Sequence, residues 1–541
     1  MISRIYNWFD RTILELGREM RLSYLPPLMV YLAAGVSGLT GIVGTFFVKD
    51  HLGLSAEFLV ALGFWAGIPW ALKMPLGHLV DLIWRFKSIL VYIGAALIAT
   101  SLLIMIGLLS HTESMQNIMS VEAWFVLSTL LAPVGYVVQD VVADAMTVEA
   151  VPRFDAQGRE LDPALLRLMH TTMQTLGRVA IIGGSIFVAL LNVYMFDGVS
   201  GMGEDEKISV YTDIYQMALV IPLISILGVL LGFWIKLRDF RRYCHQGIDR
   251  HEAWKMIHGD VQKTHANWWI LGGSLVFVVF TVTLGLSDYT YNQEIIFIGS
   301  FTIVAFLMSR LLKVLEPKAR NMLLGTAIII FVFRAMPGPG PGSSWWMIDD
   351  LLFDQQFFSV LSLVASGLTL FGMFIFRRFM AEKSIATIII FLTIASTILS
   401  FPIVGMYYGL HEWTAAVTGG VVDARFIALV DTALESPLGQ IAMIPMLAWI
   451  ANSAPAHLKA TFFAVMASFT NLALSLSQLG TKYLNQAFTI TREVKDQTTG
   501  LVKVPADYSD LGSLLITVTA IGLILPISAI IIVRMVRLKT A

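Results

Sequence analysis

The stretch Gly135–Arg153, GYVVQDVVADAMTVEAVPR, decides how this chain is to be read. Its Val, Ala and Met residues suit a helix buried in hydrocarbon, yet Asp140 and Asp144 lie four residues apart inside it and Glu149 follows. A carboxylate in the bilayer core costs several kcal/mol unless it is paired, hydrated or neutralised. Residues i and i+4 stack on one helix face, so the two aspartates present their charge to one side. A helix of this kind belongs to a bundle built around polar groups at membrane depth.

The rest of the chain agrees. Of its 541 residues 56% are apolar and 14% charged, against about 45–50% and about 25% in a soluble domain. The composition is that of an integral membrane protein. A net charge of −1 gives no reason to expect nucleic acid as a partner. The single cysteine, Cys244, excludes an intrachain disulfide framework. The first residues, MISRIYNWFDRTILELGREMR, carry Asp10, Glu15 and Glu19 where a secretory signal needs an uninterrupted apolar core. Ile5, Trp8, Phe9, Ile13 and Leu16 recur at helical spacing, which predicts an amphipathic surface helix over 1–22.

Apolar runs of about 20 residues mark membrane helices. They fall at 24–48, 56–80, 88–110, 121–150, 165–194, 211–236, 267–287, 293–312, 321–347, 355–376, 385–407, 424–450, 458–487 and 511–534, predicting fourteen spans. With the N-terminus inside, most of the Lys and Arg collect on the cytoplasmic side, the basic segment KLRDFRRYCHQGIDRHEAWKMIHGDVQK among them. Both termini are therefore expected in the cytoplasm. A weak repeat divides the chain: GHLVDLIWRFKS follows the second span and GMFIFRRFMAEKS the tenth, each a glycine followed by a basic short loop. Duplicated halves with this spacing predict a six-helix bundle at 23–238, a basic linker at 239–266, an inserted helix pair at 267–313 and a second six-helix bundle at 318–541.

Heights along the spans follow from about 1.5 Å per residue. Asp140, Arg178, Arg334 and Glu435 come out near one midplane level, with Lys73 and Asp144 a turn or two nearer the cytoplasm. Arg178 has the height to neutralise one of the aspartates, and a set of this kind suits proton-coupled transport. Gly77, Asp81, Arg85 and Lys87, in the short turn after the second span, are expected to latch helices rather than bind a ligand. Lys482, near a span end, is expected to snorkel to the interface. Gly35, Gly38, Gly41 and Gly44 form a stripe that lets another helix approach closely. PGPGPG at 337–342 must open the backbone, which membrane depth tolerates only against protein or water. Trp65, Trp70, Trp345 and Trp346 offer flat faces for ring stacking.

No phosphate-binding loop or H-E-x-x-H pair is present, and the ten histidines are scattered. A membrane-embedded enzyme or scaffold would call for a His, Cys or Ser cluster or a large soluble module, and the sequence carries neither.

Four stretches resemble the major facilitator superfamily and, within it, the folate-biopterin transporter family. They are PWALKMPLGHLVD (69–81), VVQDVVADAMTVEAVP (137–152), FVFRAMPGPGPG (331–342) and ATFFAVMASFTNLALSLSQLG (460–480). In the first, Met74 displaces the family's proline by one position. The muropeptide-permease family has a similar QD-x-x-x-DA block and also extra helices. The resemblance implies an all-α integral membrane protein of the major facilitator fold. It would carry a folate- or pterin-like small molecule by secondary transport, with the proton as coupling ion; a muropeptide-permease-like importer of amphiphilic anions is the alternative. No cofactor is expected, and a monomer in a bacterial inner membrane is the natural setting. Asp140 or Glu435 would read a pterin edge, and Arg334 or Arg178 would take a carboxylate tail.

Overall fold

The computed structural model describes residues 18–538 apart from 53, 72, 153–160, 259–267, 286, 288, 290, 314–315, 440, 442–458 and 496–501. The predicted amphipathic segment therefore lies almost wholly outside the described residues. The first span is α1 (Leu25–Val36), a 3-10 turn at Ser37–Thr40, and α2 (Gly41–His51). The second is broken into α3 (Ala56–Ala71) and α4 (Lys73–Leu82). Next come α5 (Ser88–Ser110), α6 (Val121–Ala150), α7 (Pro163–Met195), α8 (Glu204–Ala218), α9 (Val220–His245) and α10 (Arg250–His258). The expected inserted pair is α11 (Trp268–Gly285) and α12 (Asn292–Leu312). The remainder comprises α13 (Pro317–Arg334), α14 (Pro341–Asp349), α15 (Gln355–Ile375), α16 (Arg377–Glu382), α17 (Ile385–Leu399), α18 (Phe401–Tyr407), α19 (Leu410–Val417), α20 (Ala424–Glu435), α21 (Lys459–Ala487) and α22 (Leu511–Met535). A small antiparallel hairpin, β1 (Val494–Lys495) with β2 (Val502–Val504), stands between the last two helices.

Helix starts are written in the sequence. Ser120, Asp354, Ser384 and Asp423 each accept a hydrogen bond from the backbone N–H three residues on, satisfying an amide the first turn leaves open. Among the described residues nine helical segments are long and apolar enough to cross a membrane, and Ala56–Trp70 and Leu275–Gly285 are shorter apolar helices. The chain is a multi-pass integral membrane protein. Of the expected span at 424–450, α20 and the turn Ser436–Leu438 are described, and most of the span beyond that turn lies outside the described residues.

Small residues set the closest helix contacts. A Cβ on Gly94 of α5 would lie 2.6 Å from the Gly135 carbonyl oxygen of α6, and one on Gly135 would lie 2.7 Å from that of Gly94. The two backbones touch because neither residue has a side chain. Gly35 of the predicted stripe meets the Ile181 backbone of α7, whereas Gly38 and Gly41 face open space. Only part of that stripe serves packing.

Helices from early and late in the chain lie side by side. α3 packs along α21, and α7 along α15. Helices α11 and α12 pack on this seam: α11 contacts α4, and α12 contacts α21. Phe64 and Ile68 of α3, Phe277 of α11, Ile296 of α12 and Leu479 of α21 form one buried apolar cluster there.

The PGPGPG stretch opens as expected. α13 ends at Arg334, the backbone is irregular up to Gly340, and α14 restarts at Pro341. The freed polar groups are taken up by one face of α21. Ser477 donates to the Met336 carbonyl at 2.5 Å, Asn485 donates to the Pro339 carbonyl at 3.2 Å, and the Gly338 N–H donates to the Thr481 hydroxyl at 2.9 Å. Gly340 has φ +78°, a conformation that favours glycine.

Candidate functional site

The aspartates of the opening stretch meet a lysine. Lys73, at the start of α4, places Nζ 2.6 Å from Asp140 Oδ2 and 2.7 Å from Asp144 Oδ2. Tyr31 of α1 donates to the other Asp144 oxygen at 2.6 Å. The Lys73 and Asp140 side chains keep 19% and 18% of their exposure, against 40% for Asp144, so the more open end of the cluster is at Asp144. The Lys73 cation joins α4 to α6, and the Tyr31 hydroxyl joins α1 to α6. Arg178, expected to be the neutralising charge, is not within ion-pair distance of either aspartate among the described residues. It acts on Asp140 through space, and on Arg334. The reason is azimuth. Height can be counted from a helix end, but α4 is among the helices that lie against α6, while α7 packs chiefly on α1 and α15.

Arg334 closes α13 immediately before the proline-rich break and is half-buried there. Arg178 thus lies within electrostatic range both of Asp140 and of Arg334, more than 150 residues further along the chain. Glu435, at the end of α20, is exposed and makes no ion pair among the described residues. One turn before it lies Asp431, which the sequence expectations did not single out. Its side chain is 5% exposed and its Oδ1 has no hydrogen-bond partner among the described residues. The signal was available: Asp431 and Glu435 repeat the four-residue spacing of Asp140 and Asp144.

The expected latch residues separate. Gly77 faces open space in α4, and the side chains of Asp81 and Arg85 lie outside the described residues. Lys87, buried at the start of α5, reaches Glu149 Oε1 at 2.5 Å, and Lys236 of α9 reaches the other oxygen at 2.8 Å. Burial pulls the Lys87 ammonium below the ordinary lysine range, with Glu149 acting against that. The third acid of the opening stretch therefore ties α5, α6 and α9 together.

At the end of the molecule where α2, α7, α14 and α21 finish, a second network joins early and late helices. Lys49 of α2 pairs with Asp349 of α14 at 2.6 Å, and Tyr508 donates to the same carboxylate at 2.5 Å. Burial and that hydrogen bond push the Tyr508 hydroxyl well above the ordinary tyrosine range. Arg492 donates to the Val48 and Lys49 carbonyls, the C-terminal end of α2, where a cation is favoured. Gln355 donates to the Tyr211 hydroxyl at 2.8 Å, and Gln356 to Asp197 at 3.0 Å.

Three expectations about single side chains change. Trp345 and Trp346 are 2% and 3% exposed within an apolar core, Trp345 beneath the Arg492 guanidinium, so their faces are already covered. Trp65 abuts Gly285 of α11, where an added Cβ would lie 3.0 Å from its ring. Lys482 does not snorkel free: it pairs with Glu294 of α12 at 3.1 Å, tying α12 to α21. All three follow from neighbours distant in sequence.

The chain is a multi-pass helical membrane protein with charged groups gathered between its helices, and the comparisons make it, by class, a membrane transporter. The chain belongs to the BT1 family, whose model matches residues 212–540. It is 23% identical to the folate-biopterin transporter of Synechocystis sp. over 87% of this chain and 76% of that protein. Its fold is shared with solved transporters. A peptide transporter of the POT type in complex with sulfate superposes with a TM-score of 0.57 at 14% identity, covering 96% of both chains. The nucleoside transporter NupG gives 0.52 at 12% identity, covering 94% of this chain and 99% of its own. These relatives and neighbours are transporters, and the likeness to folate-biopterin transporters read from the four motifs is borne out.

Proposed function

We propose that this protein is a secondary active transporter that moves a folate- or pterin-like molecule across a membrane by alternating access, driven by a proton gradient. The observation that carries the reading is the Lys73–Asp140–Asp144 cluster, with Arg178 acting through space both on Asp140 and on Arg334. Two guanidinium groups held near one another repel, and an anion between them relieves the repulsion. Their planar forks suit the carboxylates of a folate tail. The carboxylate of Asp140 suits the donor edge of a pterin ring. The name of the Synechocystis relative supports that substrate class.

In this reading residues 23–238 and 318–541 form two six-helix bundles that rock about the site. The network of Lys49, Asp349, Arg492 and Tyr508 holds one end shut. Gly77, Asp81, Arg85 and Lys87 work at the other, cytoplasmic end, where both termini lie, and the setting is a bacterial inner membrane.

The test is uptake of labelled folate and of labelled biopterin into proteoliposomes carrying an imposed proton gradient. A lost charge-assisted hydrogen bond corresponds to about 10-fold or more. Asp140→Asn and Arg334→Ala are expected to lower gradient-driven uptake by at least that factor. Wild-type rates in both variants, or no uptake of either compound by the unmodified protein, would overturn the proposal.

A further inference from the structure

The proposed function needs a group that holds a proton, and the N-terminal aspartates are poorly placed to be that group. Lys73 lies within 2.7 Å of both, so each already has a counter-charge in contact. Asp431 of α20 is in the opposite position. It is 5% exposed, and its Oδ1 lacks any hydrogen-bond partner among the described residues. The charged group that acts on it is another acid, Glu435, four residues on along the helix.

Among the described residues, the elements that pack most closely on α20 supply no counter-charge. α15 and α17 carry no ionisable residue. α18 brings Tyr407, whose hydroxyl donates to the Tyr508 and Ser509 carbonyls. α19 brings His411 and Glu412, and neither acts on Asp431. Arg425, on α20 itself, is spent on the Leu352 carbonyl and Asp354. The turn after α20 is closed over by α15: Thr369 donates to the Ser436 carbonyl at 3.0 Å, and Gly372 has no side chain where the Pro437 carbonyl lies.

We propose that Asp431 is the proton-carrying group of the transport cycle, with Glu435 as the exposed acid through which the proton reaches it. A buried carboxylate with neither cation nor donor is unfavourable as an anion and acceptable as a neutral acid. Taking up a proton forms one O–H bond on Asp431; releasing it on the other side restores the carboxylate, so one proton enters and one leaves per cycle. The spacing Asp431–Glu435 repeats Asp140–Asp144, so under the two-bundle reading the fourth helix of each half carries an acid pair. One pair is locked by Lys73, and the other is left to exchange protons.

The inference rests on proton-coupled transport, but its decisive test needs no substrate. Infrared spectra of the purified full-length protein in lipid vesicles are expected to show a protonated-carboxyl C=O band at neutral pH. That band is lost in Asp431→Asn and kept in Asp140→Asn. Absence of the band from the wild type, or its survival in Asp431→Asn, overturns the proposal. If Asp431→Asn fails to give a monodisperse protein, Asp431→Glu replaces it: a shifted band supports the assignment and an unmoved band overturns it. In parallel, Asp431→Asn is expected to lose at least 10-fold of the accumulation of labelled folate or biopterin that an inward proton gradient drives. Failure of the wild type to take up either compound would sink the transport reading while leaving the infrared outcome to stand or fall separately.

Discussion

Lys73 is the cation on which two carboxylates of the opening stretch converge. It neutralises two carboxylates on α6 from a helix that begins at the lysine itself. Removing one partner of a buried ionic set leaves the other charge uncompensated, which costs about 3–5 kcal/mol. The 40% exposure of Asp144 puts the present case at the low end. Lys73→Met is therefore expected to destabilise by about 3 kcal/mol, read as a fall in Tm of detergent-purified protein. Adding Asp140→Asn to Lys73→Met should recover part of the loss, because one uncompensated carboxylate is then gone. A double variant less stable than the single one would show that Lys73 acts by some other route. Tyr31 matters at the same place: its hydroxyl is a donor that Asp144 keeps on the side away from the lysine.

The break between α13 and α14 shows how side chains of a neighbouring helix can pair backbone groups that a discontinuous element frees. Ser477, Thr481 and Asn485 are spaced by four along α21, so one helix face meets three groups of the opened chain. Gly340 is the position where the path turns, and a Cβ there would lie 2.7 Å from Asn485 Nδ2. Gly340→Ala should thus combine a left-handed backbone cost of about 1–2 kcal/mol with a steric one. Combining it with Asn485→Ala should relieve only the steric part, so the double variant stays below the Asn485→Ala single variant in Tm. If Gly340→Ala leaves Tm unchanged, the turn is not held as described. The same α21 face explains why its long polar run, NLALSLSQLGTKYLNQ, is compatible with a membrane span: Ser477, Thr481 and Asn485 have backbone partners, and Lys482 has Glu294.

At the scale of the whole molecule, early and late helices are joined at one end by Lys49–Asp349, Arg492 and the two Gln355 and Gln356 bonds. If the molecule alternates between two states, this network biases it toward the one with that end closed. Asp349→Asn is expected to shift the balance about tenfold toward separation, equivalent to about 1.4 kcal/mol. Spin-label distances between the ends of α3 and α21 near Glu57 and Gln486 would report it. Reversing the pair, Lys49→Asp with Asp349→Lys, should restore the closed population, since the ion pair is rebuilt. Unchanged distance distributions in Asp349→Asn would show that the pair does not hold this end.

The sequence by itself determined the solvent of this protein and most of its helices. Those properties follow from local quantities: the length of apolar runs, capping residues such as Ser120 and Asp354, the breaking power of PGPGPG, and a fixed rise per residue. It also made the family legible, through four short motifs that lie in both parts of the chain. Tertiary structure decided which charges touch. Lys73 rather than Arg178 neutralises Asp140 and Asp144, because azimuth depends on which helix lies alongside, and that is set by contacts such as Gly94 on Gly135. It also decided that Trp345 and Trp346 are core and that Lys482 binds α12. Asp431 is the clearest case. One acid in an apolar run looks like another, and only the packing of α15, α17, α18 and α19 around it leaves that carboxylate without a partner among the described residues. Charge type is a local property; charge compensation belongs to the packed whole.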